Sequence, residues 1–239
     1  MDFEKLSSPS LKDLFVQQIQ GMILSGELLV GSKLPPERTL AEQMRISRTV
    51  VNSGLAELAE QGFLEVRPRQ GTYVSDYRRQ GNLDTLSAIT EYKGGALDRE
   101  DIRSILEVRR MLEHLAADRA IRYASDEALE LLGVPLARMA AAAGAEEAAQ
   151  AAFTFRHELA LAGGNTVLPM ICYSIKDPLV ALWTRYCGRY GNLALVRNTE
   201  TLYSFLKKRD ADGAFCWIKA YLERVISGSQ QIYEPQEQL

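Results

Sequence analysis

The residues best suited to act on another molecule begin at Ser47, in the run Ser-Arg-Thr-Val-Val-Asn. Ser47 is a good helix N-cap, because its hydroxyl accepts one of the free N–H groups of a first turn. A helix starting there with Val51, Leu55 and Leu58 facing a core leaves Arg48, Thr49 and Asn52 on its outer face. An Arg fork matches guanine O6 and N7, and an Asn amide makes the same two-point match to adenine. Further on, Arg67-Pro-Arg-Gln-Gly places Arg67 and Arg69 in a basic turn of the kind that reaches phosphates or a minor groove. The chemistry implied is recognition of double-stranded DNA.

Positioning those side chains requires a particular order of elements. Leu11 to Ser25 has helical periodicity in Leu14, Phe15, Ile19, Met22 and Ile23 and stops at Gly26. Pro36 suits the first position of a short second helix, with Glu37 complementing the positive end of its dipole. A tight break at Met44-Arg45-Ile46 leads into the Ser47 helix, and two short strands around Arg67–Gly71 follow it. Two short helices so joined are the pattern of a helix-turn-helix, whose second helix meets base edges in the major groove. The strands add a wing.

The expected domains are 1–77, a winged helix-turn-helix; 78–97, a linker with a short helix (Leu83, Leu86, Ile89, Tyr92) that packs on both domains; and 98–239, a helical bundle. In the bundle, Asp98 opens a helix with Ile102, Ile105, Leu106, Val108, Leu112 and Leu115 on one face. Further helices are expected over 126–143, 146–162, 166–190, 195–208 and 211–230, two of them meeting at Gly144. The fold class is mainly α, a winged helix-turn-helix plus an all-α bundle ligand domain.

Composition excludes more than it asserts. Lys+Arg (28) nearly balance Asp+Glu (31), so a DNA surface must be a local basic patch. Cys172, Cys187 and Cys216 are far apart, which suits reduced thiols in a cytoplasm, and no apolar run of membrane-spanning length occurs. There is no G-x-S-x-G, no P-loop, no G-x-G-x-x-G after a strand and no H-E-x-x-H, and only two histidines, His114 and His157. Enzyme chemistry is thus the weaker reading. Tyr173, Trp183, Tyr186 and Trp217 would either line an apolar pocket or pack as ordinary core.

The stretch GSKLPPERTLAEQMRISRTVVNSGLAELAEQGFLEVRPRQGTYV resembles the GntR family of regulators over its full length, with LPPERTLAE, SRTVV, LAEQGFLE and GTYV in order. The resemblance implies DNA contacts from Arg38, Arg48 and Thr49, with Arg69 and Gly71 assisting. The expected DNA-contact set is Arg38, Ser47, Arg48, Thr49, Asn52, Arg67, Arg69 and Gly71. The chain departs from the family where the turn often has Gly and here has Arg45, implying a non-Gly residue at positive φ or a reshaped turn. LEVRRMLEHLAADRA and FRHELALAGGN are similar to the FadR subgroup, whose members are dimers that hold or release operator DNA according to a metabolite. Many of them hold a metal through one Asp and three His. By ungapped alignment those positions fall here on Ala152, Arg156, Thr199 and Tyr221, so no metal and no cofactor is expected. The resemblance makes Arg109 a carboxylate or phosphate ligand, and Arg156 suggests an anion held directly by side chains. The expected ligand set is Arg109, Glu113, Arg156, Tyr173, Trp183 and Arg185. Expected partners are an operator duplex, a second copy of the chain, and acyl-CoA or a small organic acid, with no membrane. The alternative is a bundle that only dimerises.

Overall fold

The first helix, α1 (Leu11–Leu24), starts at a capping box: the Ser10 hydroxyl accepts from the Asp13 N–H at 3.2 Å while Asp13 accepts from the Ser10 N–H at 2.9 Å. Its buried stripe is Phe15, Val16, Ile19 and Ile23, whereas Leu14 is 48% exposed, so the core face is turned by one residue from the sequence expectation. α2 (Glu37–Met44) has Pro36 as its N-cap residue, one position before the one expected for it. α3 (Arg48–Glu60) begins at Ser47, whose hydroxyl accepts from the Val50 N–H at 3.2 Å. Val51, Leu55 and Leu58 are buried as the periodicity required. Gly54 lies on the same face, and a Cβ there would overlap the Phe15 ring, so α1 and α3 approach as closely as they do only through a glycine.

The wing is the hairpin β1 (Leu64–Arg67) and β2 (Gly71–Val74), antiparallel with Leu64 opposite Val74 and Arg67 opposite Gly71. Residues 31–34 run beside β2, with the Leu34 N–H donating to Thr72 O at 2.9 Å and Val74 N–H to Ser32 O at 2.9 Å. A short turn of helix, α4 (Tyr77–Gln80), leads to α5 (Leu83–Tyr92). Asn82 and Thr85 cap α5 reciprocally and tie it to the end of α3, the Thr85 hydroxyl donating to Gln61 O at 2.6 Å and the Asn82 amide to Glu60 O at 3.1 Å.

The computed structural model describes residues 9–92 and 99–232, which form two compact units, Met1–Gly94 and Gly95–Leu239. Asp98, expected to open the bundle, lies outside the described residues. The second unit is all helical: α6 (Arg99–Tyr123), α7 (Asp126–Leu131), α8 (Gly133–Ala141), α9 (Ala145–Ala162), α10 (Leu168–Ser174), α11 (Lys176–Tyr190), α12 (Asn192–Lys207) and α13 (Ala211–Ile226). α9 is the central helix, packed against α6, α8, α10, α11 and α12. Its alanines 148, 149, 151, 152 and 160 are buried, which lets its neighbours come close. Among the described residues no helix is long and apolar enough to cross a membrane.

Three sequence expectations are corrected here. The spans 126–143 and 166–190 are each two helices rather than one, broken at Leu132 and Ile175. Pro135 and Pro178 stand third in α8 and α11, where a missing N–H costs nothing, but neither could continue a preceding helix. On α6 the buried stripe is Ile102, Ile105, Leu106, Arg109, Glu113, Ala116, Ala117 and Ala120. Val108 and Leu115 are 53% and 44% exposed and form, with Met111, a second apolar stripe on another face.

Candidate functional site

In the first unit, α2 and α3 are joined through Arg45, which sits at φ 54, ψ 42, in the left-handed region. The non-Gly alternative of the sequence reading therefore holds: the turn keeps its shape and Arg45 carries the strain. Ile46 N–H donates back to Ala41 O at 3.1 Å, satisfying a terminal carbonyl of α2. Left-handed backbone costs an ordinary residue about 1–2 kcal/mol, part of which glycine loses again through its freer unfolded chain. Arg45→Gly is expected to stabilise this unit by about 0.5–1 kcal/mol, read from the urea midpoint at constant slope.

α3 presents Arg48, Thr49 and Asn52, all exposed, within about 100° of its circumference at 100° per residue. At the wing tip Gln70 N–H donates to Arg67 O at 3.0 Å, closing a turn with Pro68 and Arg69 at its centre, and Arg69 stands at φ 63. Arg38, Arg48, Arg69 and Gly71 line one cleft between α2, α3 and the wing, together with Lys33. Among the described residues neither Arg48 nor Arg69 has a side-chain hydrogen bond or ion pair. Arg38 is exposed and bonded to Glu42 at 2.9 Å. Arg67 is held away from the cleft: it pairs with Glu65 at 2.8 Å and stacks over Tyr73, 4.4 Å from the ring centre. Gly71 stands at φ +117, and a Cβ there would come within 2.8 Å of the Lys33 Cε. Lys33 was missed by sequence reasoning, because it reaches the cleft only through pairing of its strand-like segment with β2.

The bundle holds a second site. Glu113 Oε2 accepts from Arg109 Nε and its Oε1 from Arg156 Nε, both at 3.1 Å. Arg156 also donates to Ala152 O at 3.2 Å. Both guanidiniums lie against the Trp183 ring, that of Arg109 4.6 Å and that of Arg156 4.8 Å from its centre. Burial alone would push the Glu113 carboxyl up, but Arg156 and Arg109 outweigh it and hold its pKa below the ordinary value. Arg156 is lowered by burial against the opposing pull of Glu113. At this cluster Arg109 Nη2 and Trp183 Nε1 are buried donors without a hydrogen-bond partner among the described residues. A cavity of about 30 Å³ beside them is lined by Leu112, Phe153, His157, Leu159, Cys172 and Leu179, among others. Tyr173 and Arg185 are not in its wall: Tyr173 is 59% exposed against Phe153 and His157, and Arg185 lies about 200° around α11 from Trp183. Tyr186 is in the core instead, its hydroxyl accepting from the Asn198 amide at 2.9 Å.

Residues 12–74 match the model of bacterial regulatory proteins of the gntR family, and residues 104–224, half of the chain, match the FCD domain. The chain is also 30% identical to the HTH-type transcriptional regulator LutR of Bacillus subtilis over 188 residues, 78% of each. The chain belongs to the GntR family. Within that family it is 36% identical over 132 residues to Mce2R of Mycobacterium tuberculosis, a match spanning about half (55%) of each chain. It is 30% identical over 164 residues to the fatty acid metabolism regulator protein of Shewanella pealeana, 67% of this chain and 63% of that one. Lar, which controls the expression of the Listeria monocytogenes agr system, has the same fold, with a TM-score of 0.67 at 16% identity, 94% of this chain and 98% of Lar being covered. These families and relatives are regulators of transcription and not enzymes.

For a GntR-family chain with this second domain, the metal that the resemblance associates with the bundle finds no fitting donor set. Ala152 is buried and has no donor, Arg156 places a cation there, and the Thr199 hydroxyl donates to Leu195 O at 3.0 Å. The Tyr221 ring lies 5.6 Å from the Arg109 guanidinium. Among the described residues no group of three His, Cys, Asp or Glu could hold a metal ion. His157 stacks on Phe153 instead, with ring centres 5.6 Å apart.

Proposed function

We propose that this chain is a sequence-specific DNA-binding regulator, a homodimer on a pseudo-palindromic operator, controlled by an anionic metabolite held without a metal in the bundle. The observation carrying the DNA reading is the cleft where Arg48, Arg69, Arg38 and Lys33 converge from a recognition-helix N-terminus, a wing and the segment beside it. Four cations, three of them without an ion pair among the described residues, against the one carboxylate of Glu37 in the same cleft, give a local positive surface on a chain of net charge −3. Dimerisation is supported by the second apolar stripe of α6, Val108, Met111 and Leu115, which joins the exposed Phe215 of α13 through His114, stacked on it at 4.3 Å. The metabolite reading is supported by the unpartnered buried donors of the bundle, which a core serving dimerisation alone has no reason to keep. LutR and the fatty acid metabolism regulator protein suggest metabolic control but leave the effector open.

Selection of bound duplexes from a random pool tests the first part. An inverted repeat with half-site centres about one helical turn apart, or a multiple of it, is expected. Recovery of no repeat, with affinity the same for every duplex, would remove the operator reading.

A further inference from the structure

We infer that two copies of this chain join through α6, packed antiparallel to α6 of a second copy with Met111 on the two-fold axis. This rests on the homodimer reading and deepens it by naming the face, the orientation and the register. Three observations carry it.

The first is spacing. Ser104, Val108, Met111, Leu115, Asp118 and Arg122 recur at alternating intervals of four and three residues, the seam of a helix that packs along another helix. The centre of that seam is apolar and open, with Val108, Met111 and Leu115 at 53%, 70% and 44% exposure. The bundle covers a different face of α6, the one carrying Ile102, Leu106, Arg109, Glu113 and Ala116. A second apolar face on one helix calls for a second surface to bury it against.

The second is charge, which decides the occupant. Beside the seam, the first half of α6 carries Glu100 and Glu107, and the second half carries His114 and Arg122. Antiparallel packing about Met111 sets each position against the one equally far on its other side. Glu100 then faces the partner's Arg122, while Glu107 and Val108 face the partner's His114 and Leu115. Asp118, held by its own Arg122 at 2.8 Å, faces the partner's Ser104, so no like charges meet along the seam. A parallel pair would set each of these charges against its own copy. The face is thus complementary to itself in one orientation, as a two-fold contact requires.

The third is the surface beside the seam. The His114 ring is stacked on Phe215 of α13, ring centres 4.3 Å apart, and Phe215 is 53% exposed. Apolar surface therefore continues from α6 onto α13. A stable pair buries roughly 1,200–2,000 Å² in total, which two elements per copy supply more readily than a lone helix. Met111 itself is unbranched and soft, so two copies of it meet on the axis without a fixed shape.

Disulfide trapping and sedimentation velocity on the full chain test this. Cys216, the exposed native thiol, is first replaced by Ser. In that background Met111→Cys meets its own copy on the axis, and mild oxidation is expected to convert most of the chain to a covalent dimer. Leu131→Cys, on α7 and 67% exposed, is expected to be trapped at least about tenfold less. Glu100→Arg and Arg122→Glu are each expected to weaken the dimer several-fold, and the two together to restore it, which a parallel pair would not do. These positions are exposed, and an unchanged helical signal checks that each variant folds. A dimer in which Met111→Cys is trapped no better than Leu131→Cys would overturn this face and leave the homodimer in place. Trapping at Met111→Cys without rescue by the paired charge exchange would overturn the antiparallel register. A chain that stays monomeric at concentrations where it binds operator duplex would take the homodimer reading down as well.

Discussion

Glu113→Ala is expected to destabilise the bundle by about 3–5 kcal/mol, because removing one partner of a buried ionic cluster leaves the remaining charges uncompensated. Here the loss is of the carboxylate that bridges two guanidiniums, bonded to both at 3.1 Å, with Arg109 and Arg156 left to repel one another. The urea midpoint of the helical signal measures it. The pH dependence carries the same information. The folded pKa of Glu113 is depressed, so its stabilisation is fully present above the ordinary carboxylate pKa of about 4.3 and is lost as pH falls through the folded value. The unmodified bundle should therefore lose stability steeply in acid below about pH 4, and the Ala variant should show a flatter profile there. Equal stability at neutral pH would mean that the ion cluster is not closed in solution. A triple replacement, Arg109→Met, Glu113→Leu and Arg156→Met, is expected to recover most of the loss, since a buried triad exchanged for apolar side chains of similar volume is often neutral or better.

For the other unit, Arg48→Ala should cost about 1–3 kcal/mol of specific operator affinity, a factor of roughly 5 to 150, with much less effect on random duplex. Arg48 is exposed in the first turn of α3 and is not engaged by any neighbour among the described residues, so its full donor set is available to a base edge. Arg67 makes the contrast. Its guanidinium is committed to Glu65 and to the face of Tyr73, and Arg67→Ala should change affinity several-fold less. Anisotropy titrations at two salt concentrations separate the roles: a phosphate contact lowers the salt slope by about one, whereas a base contact lowers affinity and relaxes sequence preference. Equal affinity for operator by Arg48→Ala and the unmodified chain would show that α3 does not enter the groove by its N-terminus.

What the sequence determined by itself was local. The Ser47 cap, the buried Val51-Leu55-Leu58 stripe, the Gly144 junction and the wing hairpin all depend on residues within about four positions of each other or on one turn, and hydrogen bonding over that range leaves a readable pattern, whereas the sequence left the Arg45 turn open between strain and a changed shape. The family motifs are the same local features in a fixed order. The tertiary structure decided what joins distant segments. Glu113 meets Arg156 across 43 residues and three intervening helix boundaries, and nothing in either local pattern distinguishes a buried arginine from a solvated one. α6 is apolar on two faces, and periodicity merged them, so Val108 and Leu115 read as core while the buried stripe carried Arg109 and Glu113. Lys33 enters the basic cleft, and Arg67 leaves it, only because strands pair and Tyr73 offers a ring to both. Which side chains are free to bind is set by which neighbours already satisfy them, and that is a property of packing rather than of spacing.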